Sequence, residues 1–127
     1  MGARDGGRQK GRRARDDLLR VALGMPEAWE DHPWDETVAK VGKKVFLFLG
    51  GADTDDAPTT VKLSDSHDQA IALGAAPARY GLGRAGWVTV SCSQIPDGIL
   101  EDWVEESYRL VAPKKLVALL DARQPPG

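Results

Sequence analysis

Four carboxylates, Glu101, Asp102, Glu105 and Glu106, recur at spacings of three and four along ILEDWVEESYRL, so one side of a helix would carry them. Such a ridge is a surface that could meet a cation. Acids at that place also suit the positive end of a helix dipole, with no ligand involved. Each of the two histidines, His32 and His67, has aspartate beside it, but nothing in their spacing makes them converge with a third ligand. The single cysteine, Cys92, closes the strand-like run WVTVSC and reads as a small buried residue rather than a nucleophile. GLGRAG matches GxGxxG at Gly81, Gly83 and Gly86, yet a dinucleotide loop needs a strand before it and a helix after it. Here a strand follows, so the glycines read as a turn feeding WVTV. With no Walker loop and no serine-histidine-aspartate signature, the chain is expected to be non-enzymatic, without cofactor or resident metal.

Basic residues are the remaining candidates. The net charge of −2 conceals a split: residues 1–20 hold seven Lys/Arg against three acids, or +4, which leaves −6 on the rest. Residues 1–15, with Arg12, Arg13 and Arg15 among them, lack apolar periodicity and are expected to form a disordered arginine-rich tail. In the body, residues 16–127, the candidate cations are Lys40, Lys43, Lys44, Lys62, Arg79 and Arg84. Lys43 and Lys44 fall at a hairpin tip and Arg84 in a loop before a strand, places from which a side chain can reach phosphate. Lysines there also keep a sheet edge soluble, and both readings stay open.

These residues need elements to hold them. RDDLLRVALGMP reads as a helix with the stripe Leu18, Leu19, Ala22 and Leu23, capped by Asp16 or Asp17 and stopped by Gly24 and Pro26. TVAKVGKKVFLFLGG is a hairpin signal turning at Gly42-Lys43. Strict alternation there groups Val45, Leu47 and Leu49 on one face and Phe46 and Phe48 on the other. TVKLS is a short strand, and DSHDQAIAL a helix capped by Ser64 or Asp65. After WVTV, Asp97 is the expected cap of a last helix that Pro113 interrupts. Helix, strands, helix, strand, helix makes an α+β fold, a mainly antiparallel sheet covered by helices, in one domain. No apolar run reaches membrane-spanning length, and one cysteine suits a cytoplasmic protein.

LGMPEAWEDHPW, VAKVGKKVFLFL, TVKLS, GWVTV and VEESYRLVAPK, in that order over residues 17–120, resemble the MmcQ/YjbR-like family of small bacterial proteins. The resemblance implies a CyaY-like, double-wing fold and DNA as partner, bound weakly through phosphate. Where that family favours a polar Tyr-His-Leu-Asn-Lys-x-His stretch, this chain reads RYGLGRAG, keeping Tyr80, Leu82 and Arg84 but neither histidine. A small-molecule or protein-binding module built on Trp29, Trp34 and Trp87 is the alternative. Frataxin-like iron handling on the acidic ridge is a third.

Overall fold

The computed structural model describes residues 15–51, 58–79, 81–96 and 98–123. Helix α1 is already formed at residue 15 and continues to residue 23. The β-rich runs become β1 (Ala28–Asp31), β2 (Glu36–Val41), β3 (Lys44–Gly51) and β4 (Pro58–Lys62). They are followed by α2 (His67–Ala72), the short β5 (Ala76–Pro77), β6 (Trp87–Ser91), α3 (Ile99–Val111) and α4 (Lys114–Arg123). Pro33–Asp35 and Leu82–Ala85 form 3-10 turns. The six strands make one sheet in the order β1-β2-β3-β4-β6-β5, with every pairing antiparallel. The fold class is the expected one, α+β with helices over an antiparallel sheet.

The helices gather on one side. Leu18 and Ala22 of α1, Trp103, Val104 and Tyr108 of α3, and Leu116 and Leu120 of α4 close over Ala39, Val41, Leu47, Leu49, Val61, Val88 and Val90. Their alternates along the strands, Val38, Phe48, Thr60, Lys62, Trp87 and Thr89, stand outside that core and face the opposite way. Because Pro113 has no amide hydrogen to continue α3, the chain breaks there and α4 starts at Lys114, as anticipated.

The expected alternation in β3 is corrected by a bulge. Ala39 pairs with Leu47 but Lys40 pairs with Val45, so Phe46 is an extra residue on that strand. The bulge turns Phe46 into the helix-covered core with Leu47 and Leu49, where its ring meets Tyr108 edge-on with centroids 5.2 Å apart. Val45 is left with Phe48 on the other face.

Two caps also differ from expectation. Asp16 and Asp17 lie within the helix, where Asp17 bonds Arg20 one turn on (2.9 Å). Neither Ser64 nor Asp65 caps α2. The carboxylate of Glu106, on α3, accepts from the Ser64 amide (2.7 Å), the Ser66 amide (3.2 Å) and the Ser66 hydroxyl (2.7 Å). A charged side chain from a neighbouring helix thus satisfies donors that a local cap would otherwise hold. The expected cap Asp97 lies outside the described residues; Gly98 precedes α3 without a side-chain cap.

GLGRAG behaves as a turn. At Gly86, φ is +97° and an added Cβ would lie 2.6 Å from the Leu63 carbonyl oxygen. Only glycine lets the chain approach this closely, and the two backbones bond, Leu63 amide to Gly86 carbonyl (2.9 Å). Among the described residues no helix is long and apolar enough to cross a membrane.

Candidate functional site

The register of β3 and β4 is where the site begins. Leu47 pairs with Val61 and Phe48 with Thr60, and the pairing stops there. One step further, antiparallel geometry would bring the Lys62 amide against the Phe46 carbonyl. Instead the Ser107 hydroxyl stands between them, accepting from the Lys62 amide (2.9 Å) and donating to the Phe46 carbonyl (2.6 Å). The strands therefore part at this end, held apart by a residue of α3.

A depression of about 340 Å³ opens at the parting, lined by Lys44, Val45, Phe48, Lys62, Trp87, Leu110 and Val111. Lys44 starts β3 and Lys62 ends β4, one on each lip. Trp87 starts β6 opposite Lys62 and packs edge-on against Phe48 (5.6 Å between centroids). Leu110 and Val111 belong to the last turn of α3, one turn beyond the wedging Ser107.

The polar chemistry of this lining is one-sided. Its polar side-chain groups are two ammoniums and one indole N–H, all donors. Neither Lys44 nor Lys62 is ion-paired among the described residues, and the Trp87 indole N–H meets no acceptor there either. The contrast is Trp29, whose indole donates to the Gly42 carbonyl (2.9 Å). An apolar floor ringed by donors suits an acceptor-rich ligand, and phosphate or a base edge has that character.

A second cleft, of about 580 Å³, lies further along the same face. Phe48, Thr60, Thr89, Pro77, Arg79 and Glu36 are among its walls. The two threonine hydroxyls bond each other across β4 and β6 at 2.8 Å. Phe48 lines both depressions and so forms the ridge between them. Among the described residues, Lys43, Lys44 and Lys62 gather at the parted end, whereas Glu36 and Arg79 stand together at the larger cleft.

A family model described as YjbR matches residues 23–110. The chain belongs to the YjbR family. No curated protein matches it. The matched span runs from the end of α1 nearly to the end of α3, so it contains the sheet and every residue lining the depression except Val111.

Of the basic residues singled out in this YjbR chain, Lys44 and Lys62 come together, with Lys43 exposed beside them in the turn. Lys40 does not join them. Its ammonium is bonded to Asp31 (2.7 Å) and lies 5.2 Å from the Trp29 ring centre. That bond, with one from the His32 amide, holds the Asp31 carboxyl below its ordinary range. Arg79 lines the larger cleft and Arg84 lies exposed on a 3-10 turn. Arg15 is tied to the body through Thr37 (2.9 Å), and Arg12 and Arg13 lie outside the described residues.

Sequence reasoning missed Ser107, Phe48 and the lysines 114 and 115. Lys114 and Lys115 are exposed and follow closely on Val111, a wall of the depression. Their signal was present in APKK: a proline break places charged residues at the end of one helix and the start of the next. Nothing local marks Ser107, since its role depends on a bulge in β3.

The other candidates disperse. Trp29 (44% exposed) and Trp87 (9%) are on strands four steps apart, roughly 19 Å at ~4.8 Å per step. Trp34, 97% exposed at φ +55°, stands on the Pro33–Asp35 turn between β1 and β2. The acidic ridge is divided between tasks, Glu106 in the Ser64–Ser66 turn and Glu105 bonded to Arg109 (3.4 Å). His32 meets Glu30 (2.7 Å) and His67 lies 3.8 Å from Asp68. Among the described residues no three metal-ligating side chains cluster, and Cys92 is buried in the core.

Proposed function

We propose that this YjbR-family protein is a non-enzymatic, cytoplasmic DNA-binding protein that holds phosphate weakly at the parted end of its sheet. The double-wing reading is taken in modified form. The β2–β3 tip extends only its two-residue turn beyond β1, because Val41 already pairs with Ala28, so the binding surface is the sheet end rather than a projecting ribbon. The observation that carries the reading is the convergence of Lys44 and Lys62, from different strands, on one depression without an acid partner among the described residues. Lys43, Lys114 and Lys115 extend the cationic surface, and the arginine-rich residues 1–14 add contacts of their own, Arg15 being held in α1 by Thr37. Neither Arg79 nor Arg84 belongs to this set.

Phosphate contacts give affinity without sequence preference, and the net −6 beyond residue 20 keeps that affinity low. The test is fluorescence anisotropy of labelled DNA over a salt series. Binding should weaken by about 0.7–0.9 in log K per log salt for each phosphate contact. Lys44→Gln with Lys62→Gln should flatten that slope by roughly two contacts' worth, whereas Arg84→Gln should leave it unchanged. No binding at low salt by the full chain refutes the reading.

The larger cleft favours a second reading, a small-molecule module. It offers a carboxylate, a guanidinium and two hydroxyls around the Phe48 ring, a combination suited to a small zwitterion. Under that reading Arg79→Ala abolishes ligand-induced thermal stabilisation and leaves DNA binding intact.

A further inference from the structure

We infer that the DNA taken at the parted end is single-stranded, with an unpaired base seated in the depression against Phe48 and Trp87 and its flanking phosphates on Lys44 and Lys62. This rests on the DNA-binding reading and narrows it. Two features of the depression discriminate against a duplex, and a third against RNA.

Its floor is apolar. Val45, Leu110 and Val111 join the two aromatic rings, and lysines flank them on both lips. A duplex presents phosphates to such a surface but keeps its base faces stacked inside, so the apolar floor would stay wet. An unpaired base brings a ring face to the aromatics and its acceptor edge to the donors.

Its size is that of one group. About 340 Å³ is at the lower end of small-ligand pockets, space for a base and not for the edge of a double helix. The concavity exists because Ser107 keeps β3 and β4 from closing.

Its hydrogen-bonding character is donor-only. The indole N–H of Trp87 has no acceptor among the described residues, and although most of the residue is covered the nitrogen itself is open to the depression and free to donate to a ligand. A base carbonyl or ring nitrogen supplies the acceptor. A ribose 2′-hydroxyl can accept from these donors, but its own proton finds no side-chain acceptor in the lining, so the site meets only half of its hydrogen bonding and favours DNA over RNA.

The experiment compares three labelled oligonucleotides of one mixed sequence, as single-stranded DNA, duplex DNA and single-stranded RNA, against the full chain at fixed salt. The tail is present throughout and meets the phosphates of all three, so differences report on the body. Single-stranded DNA should bind at least fivefold more tightly than duplex and quench tryptophan fluorescence. Phe48→Leu, which keeps an apolar side chain, should remove that preference and the quenching that goes with it. Should Phe48→Leu fail to fold, the unmodified chain decides: at saturating oligonucleotide, single-stranded DNA should quench tryptophan fluorescence and duplex DNA should not. Equal affinity for single strand and duplex, equal quenching by both, or a preference unmoved by Phe48→Leu overturns the inference and leaves DNA binding standing. RNA bound as tightly as DNA overturns the sugar assignment. Failure of all three to bind refutes the DNA-binding reading itself.

Discussion

The Ser107 hydroxyl donates to the carbonyl of Phe46 across 2.6 Å, in the place where a sheet amide would ordinarily stand. Phe46 is the bulge residue of β3, and the displaced amide, that of Lys62, bonds the same hydroxyl from the other side. One side chain of α3 therefore completes a break in the sheet that it also keeps open. Ser107→Ala leaves two buried backbone groups without partners, each of which costs roughly 1–3 kcal/mol when unmet. A loss of about 2–3 kcal/mol in urea unfolding is expected, the lower figure if the strands close and bond directly. No loss of stability would mean that the hydroxyl's two bonds are dispensable.

Glu106 should prove equally structural. Its carboxylate collects three donors from the Ser64–Ser66 turn, one of them at 2.7 Å from a backbone amide. Glu106→Ala is expected to cost about 1–3 kcal/mol and to speed hydrogen exchange selectively in the turn and α2. Glu106→Gln retains an acceptor oxygen and should lose less. Uniform exchange across the protein after the alanine substitution would argue against a local role.

Tyr108 ties α3 to the chain after α1. Its hydroxyl donates to the Pro26 carbonyl at 2.7 Å, and its ring is fully buried against Phe46. Burial raises its pKa above the ordinary phenol value, and the charge of Glu27 adds to the shift. A phenol raised on folding ionises first in the unfolded chain, so stability is fully present below pH ~10 and declines as the pH rises from there through the folded value. Thermal melts between pH 9 and 11 should show that decline in the wild type and a smaller one in Tyr108→Phe. The phenylalanine variant should itself lose roughly 1–2 kcal/mol at neutral pH.

At Gly86 the expectation is steric. Gly86→Ala places a Cβ 2.6 Å from the Leu63 carbonyl oxygen at a φ of +97°. Both penalties act on the start of β6, beside Trp87. A cost above about 2 kcal/mol is expected, with the Leu63–Gly86 bond exposed to exchange. A melting temperature unchanged by the substitution would show that the two backbones can move apart freely.

Alternation, turn residues and proline breaks are short-range signals, and they were enough for the element order, the antiparallel α+β class and the break at Pro113. In β6, Trp87 and Thr89 share one face and Val88 and Val90 the other, because a strand without a bulge keeps its period of two. Where a distant residue intervened, local reading failed. The face of Phe46 depends on an extra residue in β3, and the capping of α2 depends on Glu106, some forty positions along the chain. The candidate site shows the same division. Lysines 44 and 62 were visible as exposed-type residues near strand ends, but so were Lys40 and Arg84, and composition cannot rank them. Only the folded chain neutralises Lys40 with Asp31 and gathers the other two around a parting of the sheet. A charge is a property of one residue; its having no counter-charge, and an apolar floor beside it, are properties of its neighbours in space.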